Sequence, residues 1–597
     1  MSTPTGPANR LAAARAHRYR VERELGAGGM ATMCLAALVL TAACAGAGPT
    51  GGPAPQNGEY DVVITNGRIV DGTGAAWFRG DLAVQGDRIA RITPARMLDD
   101  APARLRIDAR DHVVAPGFID IQGQSQGPLL NGDGRVVSKI TQGVTTEILG
   151  EGGTRAIINA RMAGGDTADA EVRAAIERYG GPRGFDHWLQ DMETHGNAVN
   201  VGSFLGASNV RQYAKGTAQG VPNAAELDSM RKVVRWAMEG GAYGIASALI
   251  YPPGNFATTE ELVEAAKAMA PYGGIYITHM RSEADQLLEA IDEAIRIGRE
   301  GGVSVEIFHL KAAGVRNWPS ARIAIAKIDS ARTAGLDVQA NMYPYTAGGT
   351  GLSACFPPWA SADNGLFDNL QDPEARARMR AEMEAPGADW EQLCTLATPS
   401  NVLILGVNRP ENRKYAGMRL DAVARDMGKD WVDTAMDLVL SERQRVGTIY
   451  FLMDEDNVKL QLRQPWMKIG TDAGGVDPDS ARGLTHPRAY GTFTRILGRY
   501  VRDGQVLPLE DAIRKMTSAV ATRLGIQDRG LLREGMHADI VVFDPATVAD
   551  HATFEEPHQL STGIEHVFVN GVAVVRDGRV TGAKPGRALR GPGYSRE

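Results

Sequence analysis

Cysteine is scarce in this chain: four in 597 residues, with no CxxC pair, which excludes a zinc finger and a thioredoxin-like redox motif. Cys34 and Cys44 fall in a leader-like segment. Cys355 and Cys394 read equally well as one disulfide or as two free thiols. Neither sign of charge is in large excess, with 64 Lys and Arg against 71 Asp and Glu, so a nucleic-acid partner is not indicated. The apolar run at 33–43 is too short to span a bilayer. Glycine, by contrast, is abundant. Its 70 residues are scattered among apolar runs, which fits many tight strand–helix turns rather than low complexity. The length calls for one large domain and a smaller one.

Residues 33–43, MCLAALVLTAA, suit the h-region of a signal peptide and precede Cys44. The segment resembles a bacterial lipoprotein signal with Cys44 as the lipidated residue, although Thr41 stands where Leu is more usual. The Gly/Pro/Ala stretch that follows reads as a tether. A lipid anchor would place the protein in the cell envelope, in the periplasm or at a membrane surface, with no spanning helix. Upstream, YRVERELGAGGMA (19–31) is similar to the Gly-rich loop of bacterial Ser/Thr kinases. No phosphate-pairing lysine strand, HRD-type loop or DFG-type loop follows it. Residues 1–29 therefore read as a non-functional scar or an upstream start, with translation beginning near Met30 or Met33.

From Tyr60 onward the texture is strand-like. YDVVITNGRIVDG and DLAVQGDRIARI alternate apolar and polar residues, with turn pairs Asn66-Gly67, Asp71-Gly72 and Gly86-Asp87. ADIVVFDP and HVFVNGVAVVRDGRV repeat this near the other end. A small β-sandwich is expected from residues 59–112 and 535–597, after a signal and linker at 30–58. The middle, 113–534, alternates strands and helices. GGIYITHM precedes a helix with apolar residues Leu287, Leu288, Ile291, Ala294 and Ile295, which Ser282 can cap; VSVEIFHL, a helix near 319–334 and LDVQANMYPY come next. The α/β pattern and its length predict a (β/α)8 TIM barrel, with an inserted lid at 353–400.

In such barrels the reacting groups sit at the C-terminal ends of strands. His279 closes IYITHM, His309 closes VEIFHL and Asp472 closes MKIGTD. Two imidazoles on adjacent strands can share a metal ion. A carboxylate on a later strand can take a proton from an activated water.

The segments PGFID, TQGVTT, THMRSE, HLKAAG, MYPYTAGG, GTDAG and HPRAYGTF occur in this order, followed by HADIVVFDPATVADHATFEEPH and VNGVAVV. Together they resemble the D-aminoacylase branch of the amidohydrolase superfamily, from about residue 60 to the end. The resemblance implies a (β/α)8 barrel, a composite sandwich and zinc-assisted hydrolysis of N-acyl-D-amino acids. It makes His279 and His309 zinc ligands and Asp472 the catalytic aspartate. It places Tyr251, Tyr343 and Arg488 on the substrate, with Lys311 helping to hold a substrate carboxylate.

The sequence also departs from that family. Gln122-Gly123-Gln124 stands where the family has HxH, and Gly152 stands in place of a ligand cysteine. Ala207 replaces a histidine and Gly349 a serine. Amides are poor zinc ligands beside imidazole, which argues against a second ion. Two histidines leave zinc short of the usual three protein ligands, and Glu151 adjoins the lost cysteine. Glu151 is therefore the expected third ligand of a single Zn2+ site, with Glu147 in reserve. Two alternatives stay open: cleavage of cyclic amides or dipeptides by a related amidohydrolase, and a non-catalytic envelope binding protein.

Overall fold

The computed structural model describes residues 23–25, 33–35, 58–163, 169–385, 387 and 390–596. The chain divides into two units, Met1–Gly51 and Gly52–Glu597. In the first, Arg23–Leu25 pairs antiparallel with Met33–Leu35. Cys44 and most of the expected lipoprotein signal lie outside the described residues. Among the described residues no helix is long and apolar enough to cross a membrane.

Strands from both ends of the larger unit join in one nine-stranded sheet, the composite β-sandwich. The seam is the antiparallel pairing of Val113–Pro116 with Ile540–Phe543. Val62, Ile64, Leu82, Val84 and Val114 bury their side chains with Ile540, Val542 and Phe568. At Asn570-Gly571 and Asp577-Gly578 all four residues have positive φ, as two-residue hairpin turns of type I′ require. Asn66-Gly67 is not a turn. It lies inside the strand Tyr60–Ile69 as a bulge, where the register slips and Asn66 takes φ 62° while its N–H is capped by Asp81.

The (β/α)8 barrel is formed by β1 (Phe118–Asp120), β2 (Val144–Leu149), β3 (Asn200–Ser203, continued by Leu205–Gly206), β4 (Gly244–Ala248), β5 (Ile275–His279), β6 (Val305–Ile307), β7 (Val338–Met342) and β8 (Met467–Ile469). Neighbouring strands pair in parallel from β1 through to β8. The ring closes where Gly123 bridges Ala473, with Asp472 N–H donating to Gln122 O and Gln124 N–H to Ala473 O. Ile119, Ile121, Ile148, Ile277 and Phe308 form one buried cluster with Val520 and Leu524 of the helix Ser518–Leu524. The helix after β5 starts at Leu287, and Ser282 does not cap it. The Ser282 hydroxyl instead accepts from the N–H groups of Ala284 and Gln286 and donates to Glu391.

The insertion between β7 and β8 is larger than the expected 353–400. It is framed by an antiparallel sheet of Ala347–Gly351, Gly447–Phe451 and Val402–Gly406. The apolar texture of VLILG and GTIYF matches that of barrel strands, so the sequence pattern does not mark this boundary. The insertion has its own core, including Leu352, Phe356, Leu370, Met379 and Val402. Within it Cys355 and Cys394 are joined as a disulfide.

Candidate active site

The strand-end residues meet at the barrel mouth, in a cavity of about 760 Å³ whose walls include Glu151, Tyr251, His279, His309, Tyr343 and Asp472. His279 ends β5, and His309 follows β6 by two residues. His309 has φ 33° and Asp472 φ 50°, left-handed values that cost a non-glycine residue energy and cluster at functional sites. Glu151 lies in the turn after β2. Its Oε1 is 3.3 Å from His279 Nδ1 and 3.2 Å from His309 Nε2. The ligand atoms of these three residues all lie within 4.8 Å of one another. These separations suit a metal. Four-coordinate zinc with bonds of about 2.0 Å spaces its ligands about 3.3 Å apart, whereas a charge-assisted hydrogen bond would draw them closer.

Electrostatics point the same way. Burial and the Lys311 ammonium lower the pKa of His309, but the carboxylates of Glu283 and Glu151 outweigh them and raise it to about 9. Burial is the largest influence on Glu151 and favours its protonated form, yet the two imidazoles hold its carboxyl well below the ordinary range. Burial lowers His279. The Glu151 carboxylate is thus held ionised beside the two imidazoles. Asp472 Oδ2 lies 4.0 Å from His309 Nε2. Burial pushes the Asp472 carboxyl up to about 7, against the pull of Arg488.

The remaining expected residues divide into two groups. The Tyr251 ring packs 5.2 Å from the His279 ring, and the Tyr343 ring 6.2 Å from His309. Arg488 stacks over Tyr343 at 4.5 Å, pairs with Asp472 Oδ2 at 2.7 Å and donates to Gly349 O at 3.3 Å. Lys311 faces the cavity, but its charge is already engaged: Nζ donates to Glu283 Oε1 at 2.6 Å and lies 2.7 Å from His309 Nδ1. Glu147 is not brought to the histidines. Strand alternation sends Ile148 into the interior cluster and turns Glu147 to the opposite face of β2. There Ser125 Oγ donates to it at 2.7 Å and Lys139 Nζ lies 3.3 Å away.

Sequence reasoning passed over Glu283. Its Oε1 lies 2.9 Å from His309 Nδ1, and its Oε2 lies 3.7 Å from His279 Nε2. A carboxylate behind a metal-binding imidazole fixes the ring and its tautomer. The available signal was the last residue of THMRSE, four positions after His279. Glu391 of the insertion was also missed. It accepts from the Glu283 N–H at 2.6 Å and from Ser282 Oγ at 3.0 Å.

A profile of the amidohydrolase family matches residues 430–575. The D-aminoacylase of Alcaligenes xylosoxydans xylosoxydans is 36% identical over 535 residues, covering 89% of this chain and 97% of the relative. A solved N-acyl-D-glutamate deacylase from Bordetella bronchiseptica, complexed with zinc and a phosphonate mimic of the tetrahedral intermediate, superposes with a TM-score of 0.72. It is 33% identical, over 89% of this chain and 100% of that one. A D-aminoacylase structure, described by its binuclear metal centre with one-metal activation and second-metal attenuation, gives a TM-score of 0.73 at 34% identity. It covers the same 89% of this chain and 100% of that one. With its barrel, its composite sandwich and identity of this order over nearly nine-tenths of its length, this chain belongs to the D-aminoacylase branch of the amidohydrolase superfamily.

Proposed function

We propose that this chain is a hydrolase dependent on one zinc ion that removes the acyl group from N-acyl-D-amino acids, releasing a carboxylate and a D-amino acid. The observation that carries this is the convergence of Glu151 Oε1, His279 Nδ1 and His309 Nε2, with Asp472 4.0 Å from His309. The named activities of the relatives support the substrate class.

Glu151, His279 and His309 would hold the zinc, which supplies Lewis-acid activation of water and of the acyl carbonyl. Asp472 accepts the proton of the attacking water. It then hands that proton to the nitrogen as the C–N bond breaks. Arg488 receives the α-carboxylate, since its buried Nε has no hydrogen-bond partner among the described residues. Tyr251 and Tyr343 flank the two imidazoles and bound the space in which the amide lies. Leu366, Phe367, Val439 and Leu452 of the insertion line the same cavity and favour an apolar acyl group or side chain there. A panel of N-acyl-D- and N-acyl-L-amino acids, hydantoins and dipeptides tests the assignment. Turnover confined to the N-acyl-D series is the expected result, and preferential turnover of hydantoins or dipeptides contradicts it.

The location proposed is the cell envelope, with Cys44 lipidated. Two features support it: the run MCLAALVLTAA ahead of Cys44, and the Cys355–Cys394 disulfide, a bond that persists in oxidising compartments. Labelled palmitate should enter the full chain and be absent from Cys44→Ala. Equal labelling of both proteins contradicts the anchor.

A further inference from the structure

The two glutamines that follow β1 make contacts that the imidazole side of the site does not. Gln124 Nε2 donates to Asp472 Oδ1 at 2.6 Å and to Glu151 Oε2 at 3.1 Å. Gln122 Nε2 donates to the same Glu151 oxygen at 2.8 Å. The amide nitrogen of Gln124 therefore bridges two carboxylates, one from the turn after β2 and one from the turn after β8. Acidic side chains brought this close usually require a cation or a shared proton between them. Here the bridge is neutral. An amide nitrogen with both hydrogens directed at acceptors offers no lone pair to a metal.

The orientation of the Gln124 amide is constrained by its two acceptors. Turning Gln124 over would set its Oε1 against the oxygens of Asp472 and Glu151, with no donor between them. The backbone holds it in place, because Gln124 N–H donates to Ala473 O at 3.0 Å and Gln122 O accepts from Asp472 N–H at 2.9 Å. The glutamines also divide the labour of Glu151. Its Oε2 takes both amides, and its Oε1 is left facing His279 and His309.

We propose that Gln124, assisted by Gln122, is a positioning bridge that fills the place of a second cation. It aims Asp472 at the reacting centre, presents a single oxygen of Glu151 to the zinc, and limits the site to one divalent ion. The catalytic half of this rests on the deacylase function proposed above; the metal count does not.

Equilibrium dialysis of the full chain against zinc, read by elemental analysis, is the test. The wild-type protein should saturate at one equivalent. The isosteric Gln124→Glu variant exchanges the donors for a third carboxylate and should take up a second. In the cobalt-loaded forms, the visible bands of the wild type should stop changing after one equivalent, while those of Gln124→Glu continue to change. Gln124→Met keeps one zinc but loses the bridge, so kcat should fall roughly 10- to 100-fold, the value of a hydrogen bond to a charged group, with KM little changed. Two tight equivalents in the wild-type protein overturn the proposal whether or not either variant folds. Wild-type kcat in a folded Gln124→Met variant overturns the positioning role. If no form turns over any N-acyl-D-amino acid, the deacylase function fails while the metal counts still decide the bridge.

Discussion

At the ends of β5 and β6 the barrel mouth carries His279, His309, Glu283 and Lys311, each buried and each in contact with another of the set. At the ends of β1, β2 and β8 it carries Gln122, Gln124, Glu151 and Asp472, joined by neutral amide donors. The first side supplies fixed charge and the imidazole nitrogens that could hold a metal ion. The second supplies two carboxylates linked to each other through neutral amides, with Arg488 paired to Asp472 Oδ2. In the function proposed here a single zinc ion, held where Glu151 reaches across to the histidines, would complete both.

Removing a ligand should have the largest effect. His309→Ala should lose bound zinc and fall to background turnover, as read by elemental analysis and an N-acyl-D-amino acid assay; retained activity would mean that the imidazole side is not the metal side. Asp472→Asn should keep its zinc and lose about 10²- to 10⁴-fold in kcat, the usual contribution of a general base. Loss of zinc in that variant would move Asp472 into the ligand set. Glu283→Gln loosens the ring of His309 and should weaken zinc binding about 10- to 100-fold in a chelator competition.

Acidity should modulate zinc uptake in a direction fixed by His309. In the metal-free protein this residue is raised to about 9, so below that pH zinc must displace its proton. Affinity should therefore climb with pH by about tenfold per unit up to the region of 9 and then level off. A flat profile between pH 6 and 8 would contradict the charge balance assigned to Glu283 and Glu151. The smallest effect on the metal should come from Glu147→Gln. The zinc content should not change, while the buried contact with Ser125 and Lys139 is weakened at a cost of about 1–3 kcal/mol, read by denaturant unfolding. Zinc loss in this variant would return Glu147 to the ligand set.

Much of the architecture is legible because it is written in local periodicity. The apolar runs ending at His279, His309 and Asp472 mark barrel strands, and the Asn570-Gly571 and Asp577-Gly578 pairs mark hairpins of the sandwich. Long-range relations are not legible in that way. Gln124 and Asp472 lie 348 residues apart, so no window shows that one holds the other. Alternation along β2 does separate Glu147 from the interior, but only once the strand's phase is fixed by Ile148. Glu151 sits beyond the strand end, where periodicity says nothing, and only its place beside Gly152 singles it out. The extent of the insertion is hidden for a related reason: its framing strands look like barrel strands until their antiparallel pairing is seen.

Anomalous scattering at the zinc edge from crystals of the metal-loaded full chain addresses the centre of this account directly. One peak is expected, about 2.0–2.2 Å from Glu151 Oε1, His279 Nδ1 and His309 Nε2, with none between Gln124 and Asp472. A second peak beside Asp472, or a lone peak held by Glu147 and Asp120, would contradict it.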